Sequence, residues 1–449
     1  MDHDVIVESL LDSCKRFIEN ILQAPDLHSV ASASLTIFAQ MRPIARDILQ
    51  AKITLEAEER RRADVTPCCQ EAGVTYVHTR TVSPKTLFGE ITIPVRTFQC
   101  HGCGATVRPD DGPLGVPETG DFTDDVRYLY APMAAELPHR VANTLFARYT
   151  GVSLSSCGGQ GIIESTAEDL RTWQAERETR ETEAVGEASA WSDGGSELRV
   201  EIAMDGVTAH IDGRWQQPKV ATILVRQLAP QVEEPTLGAI FARRYICVLG
   251  PAEELAVRVQ QAIHEAGWEH IPIGEIVGDG APWIWKVADA YFPGVWQTLD
   301  YYHLSEHLYA FAHLLYPNNP AGAKAWVDQK MGALLTDHVG EVLGALKRMR
   351  PWNSAIRDAR ARLIGYVEHN RTRIRYQAPW HSGLAVGSGA VEGACKHVIQ
   401  SRFKRAGMRW KQPGFLNVLA LRIASLNGTF EAFWANRGLV VQASIAPTK

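Results

Sequence analysis

Three acids in this chain sit where metal-assisted chemistry would need them. Asp205 lies in EIAMDGVTAHI, where apolar residues alternate on both sides of it, so it falls inside a strand otherwise built for a core. Asp279 ends the stretch IVGDGAP, at the carboxyl end of a predicted strand, where ligand and metal sites collect. Glu392 opens a predicted helix in SGAVEGACKHVI. Carboxylates converging from separate elements suit phosphodiester chemistry with two hard cations, Mg²⁺ or Mn²⁺, held about 3.5–4 Å apart. One ion would activate a water or a 3′-hydroxyl and the other would steady the leaving oxygen. Each acid also has a plain structural reading. Asp-Gly pairs mostly make turns, as Asp212-Gly213 is expected to do. Asp279 could cap the next helix, and Glu392 could be an exposed helical acid.

A second constellation is made of sulfur. Of the eight cysteines only Cys68, Cys69, Cys100 and Cys103 cluster, bracketing a predicted hairpin. Cys100-His-Gly-Cys103 has the spacing of a zinc knuckle. Cys68 and Cys69 are adjacent, which strains joint ligation of one tetrahedral ion. The expected zinc set is therefore Cys69, Cys100 and Cys103 with Cys68, His101 or His78 as fourth ligand. The alternative is a decayed ribbon held by hairpin packing.

The elements that must position these groups follow from periodicity. Residues 1–62 carry apolar residues at three- and four-residue steps and read as helices, either a packed pair or a dimerisation arm. Residues 63–112 read as a zinc-ribbon-like β-hairpin built on VTYVHTRTVS and GEITIPVRTFQC. Residues 113–175 are predicted helical, with HRVANTLFARYTG and the helix after it forming either a DNA-binding helix-turn-helix or a plain helical hairpin. Gly158-Gly159 weakens the second of those helices. Residues 176–197 carry seven acids and two basic residues and read as a solvated linker or a fraying helix end. From residue 198 to 303 the pattern becomes α/β: strands in LRVEIAMDGVTAHI, PKVATILVRQLA and ARRYICVLG, then helix, strand, helix and a last strand GVWQTLDYYHL. That order matches a ribonuclease H-like core. Residues 304–385 read as an all-α insertion and 386–449 as a catalytic helix followed by basic helices.

The blocks MDGVTAHIDGRW, VGDGAPWIW, LDYYHLSEHLY and GSGAVEGACKHVIQSRFKRAGMRW, with LALRIASLNGTFEAFW after them, resemble transposases of the ISKra group of bacterial insertion sequences. With the cysteine-bracketed hairpin the resemblance covers most of residues 64–435. It implies a DDE triad of Asp205, Asp279 and Glu392. The group is also similar to Mutator-like transposases, which implies a supporting element in Asp300 and His303 of LDYYHL. His307 and His313 on the same helix read as surface or packing residues. Relatives would place a cysteine at Ala72, so the first knuckle departs from their pattern. The resemblance also implies double-stranded DNA, as element ends and target, for a partner, and a homodimer or higher multimer for an assembly.

Net charge is −5, which by itself does not advertise nucleic-acid binding. Charge is unevenly spread, however. Between Gly393 and Phe430 there is no acid, and the stretch holds Lys396, Arg402, Lys404, Arg405, Arg409, Lys411 and Arg422. Such a patch neutralises phosphates. Trp410 within it could stack on an extruded base or simply be buried. No apolar run of eighteen residues predicts a membrane span, and MDHDVIVESLL does not read as a signal peptide. The expected compartment is the cytoplasm, at the nucleoid. The expected activity is metal-dependent cleavage and strand transfer of an insertion sequence. The rivals are a catalytically silent, domesticated DNA-binding relative and a nuclease of the same fold without transposition.

Overall fold

The computed structural model describes residues 3–23, 29–69, 73–118, 120–183, 197–228 and 237–439. The chain divides into two compact units, Met1–Arg171 with Phe430–Lys449, and Thr172–Thr429.

The first unit begins with α1 (His3–Gln23) and α2 (Val30–Arg60), which pack on each other. Ser29 caps α2 by accepting from the Ser32 N–H. Strand β1 (Val74–Val82) pairs antiparallel with β4 (Ile93–Cys100), Val74 opposite Cys100 and Val82 opposite Ile93. Between them β2 (Lys85–Thr86) and β3 (Gly89–Glu90) form a two-stranded ribbon, and β5 (Thr106–Val107) extends the sheet beyond β4. The expected hairpin is thus present, with a third strand. Ile91, Ile93 and Val95 bury against Ala57, Leu114 and Val116, with Leu49 and Ile53 partly covered beside them. Helices α3 (Asp124–Glu136), α4 (His139–Thr150) and α5 (Ser156–Glu183) follow. Gly159 tolerates no side chain, because a Cβ there would lie 2.4 Å from the Tyr130 hydroxyl oxygen. The glycines that weaken α5 locally thus permit its close approach to α3. The exposed face of α5 presents Glu164 and Glu168 and no Lys or Arg before Arg171, a poor complement to phosphate. Helix α5 continues to Glu183, so residues 176–183 of the expected linker are helical; residues 184–196 lie outside the described residues.

The second unit is organised by alternation in β6 (Leu198–Gly206). Val200, Ile202 and Met204 enter the apolar core, so Glu201, Ala203 and Asp205 face the other side of the sheet. A small ribbon of β7 (Ala209–Ile211) and β8 (Arg214–Gln216) follows, closed by Asp212 and Gly213 with positive φ, as a tight Asp-Gly turn requires. The first strand therefore ends at Gly206 and does not continue through residue 211. Next come β9 (Lys219–Gln227), β10 (Ile240–Val248), α6 (Ala252–Glu265), β11 (Ile273–Gly278), α7 (Pro282–Tyr291) and β12 (Trp296–Leu299). The sheet order is β10-β9-β6-β11-β12. Strands β6, β9 and β10 run antiparallel in succession, and β11 and β12 run parallel to β6. The last strand stops at Leu299, because Asp300 caps α8 (Tyr301–Leu315), so the expected strand residues YYHL are helical.

Helices α9 (Pro320–Leu335), α10 (Val339–Arg348), α11 (Ser354–His369) and the short α12 (Gln377–His381) complete the expected all-α stretch. Then α13 (Gly389–Ala394) runs without interruption through a π-helical turn, Cys395–Gln400, into α14 (Ser401–Phe403). Helix α15 (Gln412–Asn427) closes this unit, and α16 (Phe430–Asn436) belongs to the first. Helices α6 and α7 contribute to the core on the apolar face, while α13 packs on β6 and β9 on the other face. No helix among the described residues is long and apolar enough to cross a membrane.

The second face of this sheet is polar even where it is sealed. Arg226 on β9 donates to Glu201 at 2.9 Å, both buried. Glu275 stands opposite Glu201 in the register and accepts from Thr298 at 2.7 Å. Burial, then the Glu201 charge, pushes the Glu275 carboxyl well above the usual range. Its folded value exceeds its unfolded one, so its contribution to stability is full below the unfolded value and is lost as pH rises through the folded value. Glu275→Gln should accordingly melt with wild type at about pH 4 and above wild type at about pH 8, as followed by calorimetry. Equal melting at both pH values would mean that Glu275 titrates normally.

Candidate active site and candidate metal centre

Strand register brings three acids into line. Gly278 on β11 pairs with Met204 on β6 and with Leu299 on β12. The next residue on each strand is an aspartate: Asp279, Asp205 and Asp300. Parallel direction makes this the carboxyl end of all three strands, where α/β sheets place their ligands.

Each carboxylate is oriented by its own backbone. Asp205 Oδ1 accepts from the Gly206 N–H at 2.6 Å, and Asp279 Oδ1 from the Ala281 N–H at 2.8 Å. The Cys395 thiol lies 3.5 Å from Asp205 Oδ2 as its donor. Burial and the adjacent Asp279 charge hold the Asp205 carboxyl above the usual aspartate range, against the opposing pull of the Gly206 N–H and the thiol. Burial also raises the Cys395 thiol, and the Asp205 charge adds to it. On the other flank the Tyr366 hydroxyl donates to the Asp279 carbonyl at 2.9 Å. Burial, with Asp279 and Asp300 nearby, pushes that phenol up. The His307 ring lies on Tyr366 at 4.1 Å between centroids, and His303 stands edge-on to His307 at 4.9 Å. Burial, then His303, lowers the His307 imidazole below its usual value.

Asp300 is a brace. Its Oδ1 accepts the N–H groups of Tyr302 and His303, and its Oδ2 accepts from the Ser388 hydroxyl. Both oxygens are engaged, and the residue is buried. Since Ser388 is the N-cap residue of α13, this bond ties the end of β12 to the helix that carries Glu392. Glu392 itself faces outward, its side chain 62 % exposed, and pairs with Lys396 at 2.6 Å. The structure thus joins Asp205 and Asp279, with His303 beside them, and leaves Glu392 on the adjoining helix outside a tight cluster.

The expected basic surface is smaller than its sequence. Arg402 is fully buried, its guanidinium 4.9 Å from the Trp410 ring centre, so it is a packing residue. Arg422 is buried too, and donates to the carbonyls of His397 and Val398 in the π-helical turn. Trp410 is half-buried: its indole N–H donates to the Phe403 carbonyl, and its backbone bridges His210 and Asp212. Lys404, Arg405, Arg409 and Lys411 remain exposed, and Lys396 is exposed while paired. The aromatic that faces solvent here is Trp215 on the β7–β8 ribbon, 66 % exposed, with the Lys404 ammonium 5.9 Å from its ring centre. A single exposed Trp on a three-residue strand beside an Asp-Gly turn carries no periodic signal.

The first unit contains the second site. The sulfurs of Cys68, Cys69, Cys100 and Cys103 all lie within 4.8 Å of one another, a cluster able to hold a metal such as zinc. It is the one such group of three or more ligands among the described residues. The adjacent pair therefore converges, and the four-cysteine set replaces the expected histidine alternatives. His101 turns instead to Thr75, with its Nε2 2.5 Å from the hydroxyl oxygen. Ala72 lies outside the described residues. The N–H groups of Cys103 and Gly102 pull the Cys100 thiol down to about 6, while hydrogen bonding to Cys103 and Cys100 pushes Cys68 up to about 12. One sulfur is thus a ready thiolate at neutral pH, the form that ligates metal.

No family model matches this chain, and no curated protein matches it.

Purified protein should contain about one zinc per chain by elemental analysis, lost in Cys100→Ala and shed as pH falls below about 6, because protons compete for the thiolates. Metal-free wild-type protein with unchanged stability would reduce the cluster to four packed thiols.

Proposed function

We propose that the chain is a DDE transposase, cleaving and rejoining DNA with divalent cations held by Asp205, Asp279 and Glu392. The observation that carries this reading is the register row Asp205–Asp279–Asp300 at one end of the sheet, with the Glu392 helix tied to it through Ser388. The strand order, three antiparallel strands followed by two parallel to the first, agrees with the order expected of a ribonuclease H-like sheet and supports the same reading. Donor chemistry fits as well: the site offers hard carboxylate oxygens suited to Mg²⁺ or Mn²⁺. When bound, such ions supply an activated water or 3′-hydroxyl and neutralise charge on the phosphate.

The chain's own residues divide the remaining work. Asp205 and Asp279 are pre-aimed by the N–H groups of Gly206 and Ala281. Burial and its like-charged neighbour raise the Asp205 carboxyl, and a cation held there would favour its carboxylate form. To hold a cation with them Glu392 would leave Lys396, which would then be open to a phosphate. Asp300 holds the two elements in register. Lys404, Arg405, Arg409 and Lys411 bind the DNA backbone, and Trp215 gives an unpaired base a surface on which to stack.

A second reading is a catalytically silent DNA-binding relative. The outward Glu392 and its pairing with Lys396 favour it. The two separate in one experiment. Purified protein is incubated with Mn²⁺ and DNA spanning the ends of the genomic segment that encodes it. The transposase reading predicts strand cleavage at those ends, reduced at least about 100-fold in Asp279→Ala and in Glu392→Ala with DNA binding retained. Cleavage by both variants at the wild-type rate would refute the triad. Binding without cleavage by wild type would favour the silent reading.

A further inference from the structure

Asp279 is aimed by a turn that its own sequence leaves loose. Strand β11 ends at Gly278, so Asp279 lies beyond the ladder. Its side chain follows its backbone: Oδ1 accepts from the Ala281 N–H, and the carboxylate points wherever residues 279–281 put it. Between them Gly280 has φ +97°, a conformation natural to glycine and strained for other residues. That residue also has the widest backbone freedom of any, so the turn needs a constraint from outside. Tyr366 supplies one from α11. Its hydroxyl donates to the Asp279 carbonyl at 2.9 Å. The same hydroxyl closes over Gly280, where a Cβ would lie 3.0 Å from it and 3.1 Å from Leu299 Cδ1. His307 of α8 backs the phenol ring, 4.1 Å between centroids with the planes inclined by 33°. Helix α11 is anchored without the hydroxyl, because Ile356, Leu363 and Val367 bury in the core. The hydroxyl bond therefore acts on the turn and not on the seating of the helix.

We propose that Tyr366 is a positioning residue for the cation site, holding the Asp279–Gly280–Ala281 turn so that the Asp279 carboxylate meets a divalent ion already oriented. The inference deepens the DNA-cleavage reading and rests on it for the cation. A group that orients a metal ligand through a hydrogen bond commonly changes metal affinity about 10-fold or more when it is lost. The all-α stretch thereby takes a part in the site although it supplies no carboxylate to it: α11 brings the hydroxyl and α8 the ring behind it. Simple packing is the competing account of Tyr366, and phenylalanine separates the two. It keeps the ring against His307 and loses only the bond to the turn.

Two measurements on full-length Tyr366→Phe test it. In metal-free protein, hydrogen exchange followed by mass spectrometry is expected to quicken about fivefold in the peptide spanning Val277–Trp283, the equivalent of one lost hydrogen bond, with helix content as in wild type. Mn²⁺ affinity by electron paramagnetic resonance is expected to fall about tenfold. Unchanged exchange in that peptide, or faster exchange with Mn²⁺ affinity intact, overturns the proposal. Asp279→Asn measured alongside shows which idea has failed. Wild-type Mn²⁺ binding by that variant refutes the cation reading and the proposal with it. Weakened binding there, with none in Tyr366→Phe, refutes the positioning role alone.

Discussion

The pairing of β6, β11 and β12 is the constraint on which the second unit depends. A shift of one residue in either parallel pairing would send an aspartate to the opposite face of the sheet, because side chains alternate along a strand. The apolar face prevents such a slip. Val200, Ile202 and Met204, with Ile276 beside them, are all buried in the core, and a one-residue slip would turn one strand's apolar row away from it. Packing on one side of the sheet thus sets the chemistry on the other.

That other side is graded. In its interior Glu201, Arg226 and Glu275 are sealed: Glu201 pairs with Arg226, and burial beside Glu201 pushes the Glu275 carboxyl well above its usual range. Two rows along, Asp205 and Asp279 are only half-buried. Carboxylates on the same strands therefore meet different environments according to what covers them. The covering element is the helix from Gly389 to Phe403. Its π-helical turn, with carbonyls satisfied by the buried Arg422, presents Cys395 toward Asp205. Insertions of this kind recur at functional sites, since they re-aim side chains that a regular helix would misplace.

Much of this was readable in the residues alone. Alternation in LRVEIAMDG and the order of strands and helices after residue 198 reveal the mixed sheet, because burial on one face leaves a period of two. Asp205 stands out as an acid within that period, and Asp212 as part of a turn. What escaped was whatever depends on contacts distant in sequence. Tyr366 reaches the Asp279 carbonyl from a helix with no motif to announce it. Arg402 and Trp410 look like a DNA surface in a list of charges, yet each fills the other's packing space. Cys68 and Cys69 look too close to share an ion, but the chain before β1 folds both sulfurs toward the knuckle. The functions assigned to these residues come from resemblance and chemistry, and a cation at the strand ends is the claim on which they rest.

Mn²⁺ titration of the metal-free protein, followed by electron paramagnetic resonance without any DNA present, tests that claim most directly. The account predicts that wild type and Glu275→Gln bind Mn²⁺ alike, while Asp205→Asn and Asp279→Asn lose at least about tenfold in affinity. Undiminished binding in both aspartate variants would contradict it.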